Sequence, residues 1–201
     1  MGEDTNRRAW LIGGGVAGAA AAGVAAWWLT RTETPDYSLV LKDGAIEVRA
    51  YGALPIAEAV HDGDRDAALG KGFRALADYI FAKSRVGEKI AMTAPVIADR
   101  AGDKWRTRFV LPAQYRDLTP PEPTGGEVTT TTLPARRVAA IRFAGRADDA
   151  LLAEREAELR DWLGSYGLKP TGPAEYAFYN APFVPGPLRR NEVLLPVASI
   201  Y

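Results

Sequence analysis

Two short apolar-rich runs, "YSLVLK" (37–42) and "AIEVRAY" (45–51), read as strands. The Asp43-Gly44 pair between them predicts a β-hairpin, because glycine supplies the positive φ that such a turn needs. "ALPIAEAV" (53–60) extends this as a meander. After the turn residues "HDGDRD" (61–66) the pattern changes: Leu69, Phe73, Leu76 and Ile80 recur at helical spacing and define one apolar face. "KIAMTAPVIA" (89–98) and "KWRTRFVLP" (104–112) read as two more strands joined by the turn residues 99–103, and the proline-rich "TPPEPTGG" (119–126) closes this half.

The second half repeats the order. "EVTTTTL" (127–133) and "RRVAAIRFA" (136–144) read as a strand pair, Asp148-Asp149 open a helix carrying Leu152, Leu159 and Leu163, and Gly167 is placed to cap it. Aligning the helices sets Asp66 on Asp149, Leu69 on Leu152, Leu76 on Leu159, Asp78 on Asp161 and Tyr79-Ile80 on Trp162-Leu163. Two ββαββ units, about 37–118 and 127–201, are too few for a solenoid. They predict an α+β fold, a distorted antiparallel barrel or open sheet covered by two helices, with a ligand cleft where the units meet.

Residues 9–29, "AWLIGGGVAGAAAAGVAAWWL", are of another kind. They are uncharged over the roughly 20 residues that a helix needs to cross about 30 Å of hydrocarbon. Arg7 and Arg8 precede them and Trp27-Trp28 fall where an interfacial belt would lie, so segment 1–30 is expected to be a single-pass anchor with the rest outside the cytoplasm. "NRRAWLI" also resembles a twin-arginine export signal, with small residues at 22–26 for cleavage, and that alternative stays open. Gly13, Gly15 and Gly18 match a dinucleotide fingerprint letter for letter, but the polar "GEDTNRRA" before them is not a sequence for the buried strand that motif requires. Gly14 and Gly18 have the spacing that lets two membrane helices approach, so dimerisation is a further expectation. Residues 31–36 form a linker to a domain at 37–201.

The charges narrow the function. Twenty-five Lys and Arg balance 25 Asp and Glu, which gives no field to gather nucleic acid. The absence of cysteine excludes disulfides, thiolate metal sites and covalent haem attachment. One histidine, His61, in a turn-like "VHDGDRD", cannot readily serve a catalytic triad, and no H-E-x-x-H or G-x-S-x-G motif occurs.

"IEVRAY" (46–51), "ALGKGFRALADYI" (68–80), "KIAMTAPV" (89–96) and "YNAPFVPGPLRRNEV" (179–193), in this order, resemble the SOUL haem-binding protein family. The resemblance implies a distorted antiparallel barrel with two helices, related to gyrase-inhibitor-like effector domains, and non-catalytic binding of haem or another tetrapyrrole. Some members carry a proposed axial histidine within a Tyr-Glu-x-Arg-His-Tyr stretch; Ala50 stands at that position here, so haem is expected without histidine ligation. Lys71 and Arg74, with Arg189 or Arg190 across the cleft, are candidates for the ligand's acidic groups; Tyr179 and the Met92 thioether are further ligand candidates, with core packing the alternative for Met92. Glu47, Arg49, Asn191 and Glu192 are expected to be structural, through a Glu192–Arg49 or Glu47–Arg190 pair. The alternatives are a structural or partner-binding effector module without haem, and a hydrolase using Glu47, Glu58 or Glu192 in the cleft.

Overall fold

The computed structural model describes residues 32–181 and 183–198. The apolar run at 9–29, with its expected anchor and glycine spacing, lies outside them, and no helix among the described residues is long and apolar enough to cross a membrane. The described elements are β1 (Tyr37–Asp43), β2 (Ile46–Tyr51), β3 (Leu54–His61), α1 (Arg65–Ile80), β4 (Val96–Ala101) and β5 (Lys104–Val110), followed by β6 (Thr129–Leu133), β7 (Arg136–Phe143), α2 (Asp149–Ser165), β8 (Glu175–Phe178) and β9 (Asn191–Val197). All ladders are antiparallel, and the strands form one curled half-barrel sheet in the order β1-β2-β7-β9-β8-β4-β5-β3-β6, which makes the fold α+β.

The β1–β2 hairpin turns at Gly44, with φ +55°, as the Asp-Gly pair predicts. The longer-range pairing differs from the expected meander: β2 pairs with β7, whereas β3 lies between β5 and β6. The expected β6–β7 pair is likewise absent among the described ladders. Alternation fixes which face of a strand is buried, but not which strand lies beside it. Of "KIAMTAPVIA" only the part from Val96 onward is strand. Pro95 has no N–H for a ladder, and the residues before it are anchored elsewhere: the Ile90 N–H donates to Ile80 O at 2.7 Å, and the Thr93 hydroxyl bonds Val110 O.

Each helix is fixed at its start by an aspartate. Asp64 accepts from the Ala67 N–H and Asp148 from the Leu151 N–H, both at 2.9 Å. α2 ends as expected at Gly167, φ +67°, where the Gly167 N–H donates to Gly164 O and the Leu168 N–H to Leu163 O, the paired bonds of a Schellman cap. Leu152, Leu159 and Leu163 of α2 bury against Val48, Ala139, Ile141, Val193 and Leu195, each leucine contributing about 1.5–3 kcal/mol. α1 packs through Leu76, Tyr79 and Ile80 onto Ala57, Ala59 and Phe109. Its buried stripe continues through Gly72 and Ala68 rather than through Phe73, which is 39% exposed and reaches Phe109 only edge-on, at 5.3 Å between ring centroids.

A charged and aromatic cleft on the open face of the sheet

Because side chains alternate across a strand, the residues between those that meet the helices share the opposite face. On β2, Ile46 and Val48 meet α2, so Glu47, Arg49 and Tyr51 face away from it. On β9, Val193 and Leu195 meet α2, so Glu192 and Leu194 join them.

Glu192 has no exposed surface, and every hydrogen bond to it comes from a named donor. Arg49 grips it in a bidentate pair, Nη1 to Oε2 at 2.7 Å and Nη2 to Oε1 at 3.1 Å. Arg190 donates to Oε1 from Nη2 at 2.8 Å, and the Tyr179 hydroxyl donates to Oε2 at 2.9 Å. Arg49 also bonds Glu47 at 2.8 Å, and Lys42 bonds Glu47 at 3.0 Å. The result is a chain of alternating charge, Lys42–Glu47–Arg49–Glu192–Arg190. Glu47 therefore meets Arg49 and Lys42, while Arg190 meets Glu192. Burial opposes ionisation of Glu192, but the hydrogen bonds and charge of Arg49, helped by Arg190, outweigh it and hold the carboxyl below its usual range. Burial and the adjacent Glu192 charge push the Tyr179 phenol well above its own.

A second network crosses the middle of the same face. Arg136 makes two bonds to Glu175, at 2.6 and 2.7 Å, and Arg108 joins Glu175, Asp99 and Glu58 at 3.4, 3.3 and 3.4 Å. These residues carried no motif in the sequence; the alternation of "KWRTRFV", which puts Arg106, Arg108 and Val110 on one face, was the signal available.

Between the two networks lies a cleft of about 160 Å³. Leu54, Ile97, Val110 and Leu194 supply apolar surface, Tyr37, Tyr51 and Tyr179 aromatic surface, and Arg136 and Arg190 the cations. Thr34 and Pro35 close one side, held there because Glu33 accepts from the Ala94 N–H at 2.8 Å and from the Ala113 N–H at 2.7 Å. A wider polar cleft of about 620 Å³ adjoins it across Tyr37 and Arg190 and is bordered by Lys42, Arg142 and Arg189. A third, of about 430 Å³, adjoins across Tyr51 and Arg136 and contains Ala50.

Of the residues singled out from sequence, Tyr179, Arg189 and Arg190 line these clefts. Lys71 and Arg74 are exposed on α1, across the sheet from the cleft, because α1 covers the alternate residues Thr107 and Phe109 of β5 rather than Val110. Met92 is part-buried, packs against the core beneath α1 and is not among the residues that line these three clefts. His61 is not the exposed turn residue expected: it ends β3, is half-buried, and its Nε2 lies 2.9 Å from Glu127 Oε1. Asn191 ties the start of β9 to the loop before α2, its Nδ2 donating to Gly145 O at 3.0 Å. Glu47 borders the polar cleft, but Tyr37, Lys42 and Arg49 all donate to it. Burial opposes its ionisation, but the hydrogen bonds and charges of Lys42 and Arg49 outweigh that and hold the carboxyl below the usual range, the reverse of what a neutral-pH acid needs. No cluster of three or more potential metal ligands occurs among the described residues.

The model of the SOUL heme-binding protein family matches residues 32–196. The chain belongs to the SOUL family. None of the curated proteins matches it in sequence. Among solved structures, this SOUL domain superposes on the C-terminal domain of EcmrR with a TM-score of 0.58 at 12% identity, covering 82% of this chain and 99% of that domain. EcmrR in complex with DNA gives 0.60 at 10% identity, covering 77% of this chain and 57% of the EcmrR chain. A hydrolase from Listeria innocua gives 0.53 at 12% identity, covering 79% and 94%. At these identities the likeness is one of fold alone.

Proposed function

We propose that this SOUL domain binds haem or a related flat, acidic tetrapyrrole, without catalysing a reaction on it. The observation that carries the reading is the cleft in which three tyrosines and four aliphatic side chains meet two guanidiniums. A conjugated ring presents apolar faces to such walls, and its acidic groups find Arg190 and Arg136 at hydrogen-bonding range of the rim. At about 160 Å³ the cleft is smaller than the roughly 300–1,000 Å³ that encloses a drug-sized ligand, so it seats an edge of the macrocycle. Binding is accordingly reversible and of micromolar strength or weaker. The matching strand orders β3-β5-β4 and β7-β9-β8 support reading 37–118 and 127–201 as a duplicated unit with the cleft at its junction.

Titrating the protein with haemin is expected to shift the Soret band, and the shift should survive His61→Ala, since His61 lies on the helix side of the sheet. Loss of the shift in that variant would show that His61 ligates the iron. If haemin, protoporphyrin and biliverdin all leave the protein's absorbance and fluorescence unchanged, the tetrapyrrole reading falls.

The location we propose is the cell envelope, with residues 9–29 as an anchor or cleaved signal and the domain outside the cytoplasm. The support is the uncharged length of that run and the arginine pair before it. Protease added to spheroplasts should then digest the domain, whereas full protection behind an intact membrane would overturn the topology. N-terminal sequencing of the mature protein separates the two forms, a start near Trp27 meaning cleavage.

A further inference from the structure

We propose that the wider polar cleft bordered by Lys42, Arg142 and Arg189, with the apolar side chains at its rim, docks onto the phosphate headgroups of an anionic bilayer. This rests on the membrane-anchor reading above and gives the domain a second contact with the membrane, separate from residues 9–29.

The chain as a whole carries no net charge, but this cleft does. Among the described residues that line its about 620 Å³, Lys42, Arg49, Arg142, Arg189 and Arg190 are cations and Glu47 is the one carboxylate. Setting the buried Glu192, which Arg49 and Arg190 share, against them as well leaves five cations facing two carboxylates. Arg142 stands apart from the charge network. It is exposed on the open face, opposite Glu192 in the β7–β9 ladder, and its side chain has no partner among the described residues. A free guanidinium beside other cations suits the oxygens of a phosphate, which it can grip in a fork.

Large apolar side chains gather at the same rim. Leu188, 72% exposed, and Tyr37, 40% exposed, line the cleft itself. Leu39, 53% exposed, stands opposite Arg49 in the β1–β2 ladder and so shares its face, and Val40 is exposed at the bulge beside it. Single exposed apolar residues are ordinary on a protein surface. Several around one cationic cleft form the mixed patch that suits a lipid–water interface.

Charge and chain connectivity together name the occupant. A phosphate-bearing surface complements the cations, and each Lys or Arg brought up to an anionic bilayer tightens binding by roughly fivefold. The uncharged run ends at Leu29 and β1 begins at Tyr37, so even a fully extended linker keeps the start of this edge strand within about 30 Å of the end of the run. The bilayer that the run enters is then a partner always within reach, and contacts that are weak singly act at high local concentration.

The absence of cysteine allows one labelled position without background. The full chain with Leu188→Cys carrying the environment-sensitive dye NBD is reconstituted in phosphatidylcholine vesicles with and without phosphatidylglycerol. Val86→Cys is the reference, a position 95% exposed in the loop after α1 and outside the cleft. With phosphatidylglycerol, the dye at 188 should shift to shorter wavelength and resist an aqueous quencher, while the dye at 86 stays in water. Salt at about 1 M should reverse both effects, since it screens charges beyond about 3 Å. Arg142→Glu breaks no side-chain contact among the described residues and should lower the docked-to-free ratio at least roughly fivefold. Chains that insert but leave the dye at 188 in water, or bury it equally in phosphatidylcholine alone, overturn the proposal and leave the anchor standing. So does a dye at 86 that responds like the one at 188. A shift produced by inorganic phosphate without vesicles, and none with them, means a soluble phosphate ligand and also overturns the proposal. Chains that an alkaline wash strips from the vesicles overturn the anchor, and the proposal with it.

Discussion

Glu192→Ala is expected to destabilise the domain by about 3–5 kcal/mol, the usual cost of leaving one partner of a buried ion pair without its counter-charge. A domain of this size loses roughly 2–4 °C of melting temperature per kcal/mol, so the midpoint should fall by about 10 °C. The reason lies in the geometry: Arg49 is 2% exposed and directs two of its N–H groups at Glu192, and Tyr179 and Arg190 use the same carboxylate. Removing the carboxylate leaves the buried Arg49 with Glu47 as its remaining counter-charge and takes the acceptor from the part-buried Tyr179 phenol. Arg49→Met combined with Glu192→Leu should cost less than the sum of the single changes, because the buried cation goes with its partner, and a double-mutant cycle measures that difference. The pH dependence has a definite sign. Glu192 and Glu47 both sit below the ordinary value of 4.5 in the folded state, so their contribution is full above that pH and is lost as acid protonates them. Chemical denaturation across pH 3 to 7 should show the wild type losing stability below about pH 4.5, with a shallower loss in Glu192→Ala. A variant within about 1 kcal/mol of wild type and with the same acid profile would mean the network is not structural.

The Arg49–Glu192 pair shows how far the sequence could be read. "IEVRAY" and "RRNEV" each announce alternating charges on a strand, and the period of two puts Glu47, Arg49 and Tyr51 on one face without further information. That β2 would lie against β7, and β7 against β9, was not legible, because strand neighbours are set by long-range packing that leaves no local pattern. For the same reason Lys71 and Arg74 could be recognised as exposed cations on a helix while the side of the sheet they occupy could not. Tyr51 ends "IEVRAY" but was passed over for position 50 beside it, and Arg136 belongs to no motif with a chemical reading; what they mean comes from the residues across the strand. The turn and cap signals fared better, since Asp43-Gly44, Asp148 and Gly167 act within a few residues of themselves.

Two glycines of α1 should respond to alanine in opposite directions, and helix propensity alone predicts the wrong sign for one of them. In a helix interior alanine is favoured over glycine by about 0.5–1 kcal/mol. At Gly70 an added Cβ would meet only the flexible end of Arg74, 3.8 Å away, so Gly70→Ala should stabilise by about that amount. Gly72 is buried where the helix lies directly on β5, and a Cβ there would fall 2.8 Å from Thr107 Cβ and closer still to its hydroxyl. Thr107 is 1% exposed and branched at the strand, so it has no free space into which to turn. Alanine must then push α1 off the sheet, loosening the Leu76, Tyr79 and Ile80 contacts that follow on the same face. Overpacking of this kind costs about 1–3 kcal/mol, more than the propensity gain, so Gly72→Ala should be destabilising. The close approach also explains the exposed Phe73: once the glycine sits against the strand, the larger side chain next to it is rotated toward the rim, where its ring touches Phe109 by an edge. Urea denaturation of the two variants side by side decides the matter. A Gly72→Ala protein as stable as Gly70→Ala would show that helix and sheet have slack at this contact, and that the buried stripe could equally have run through Phe73.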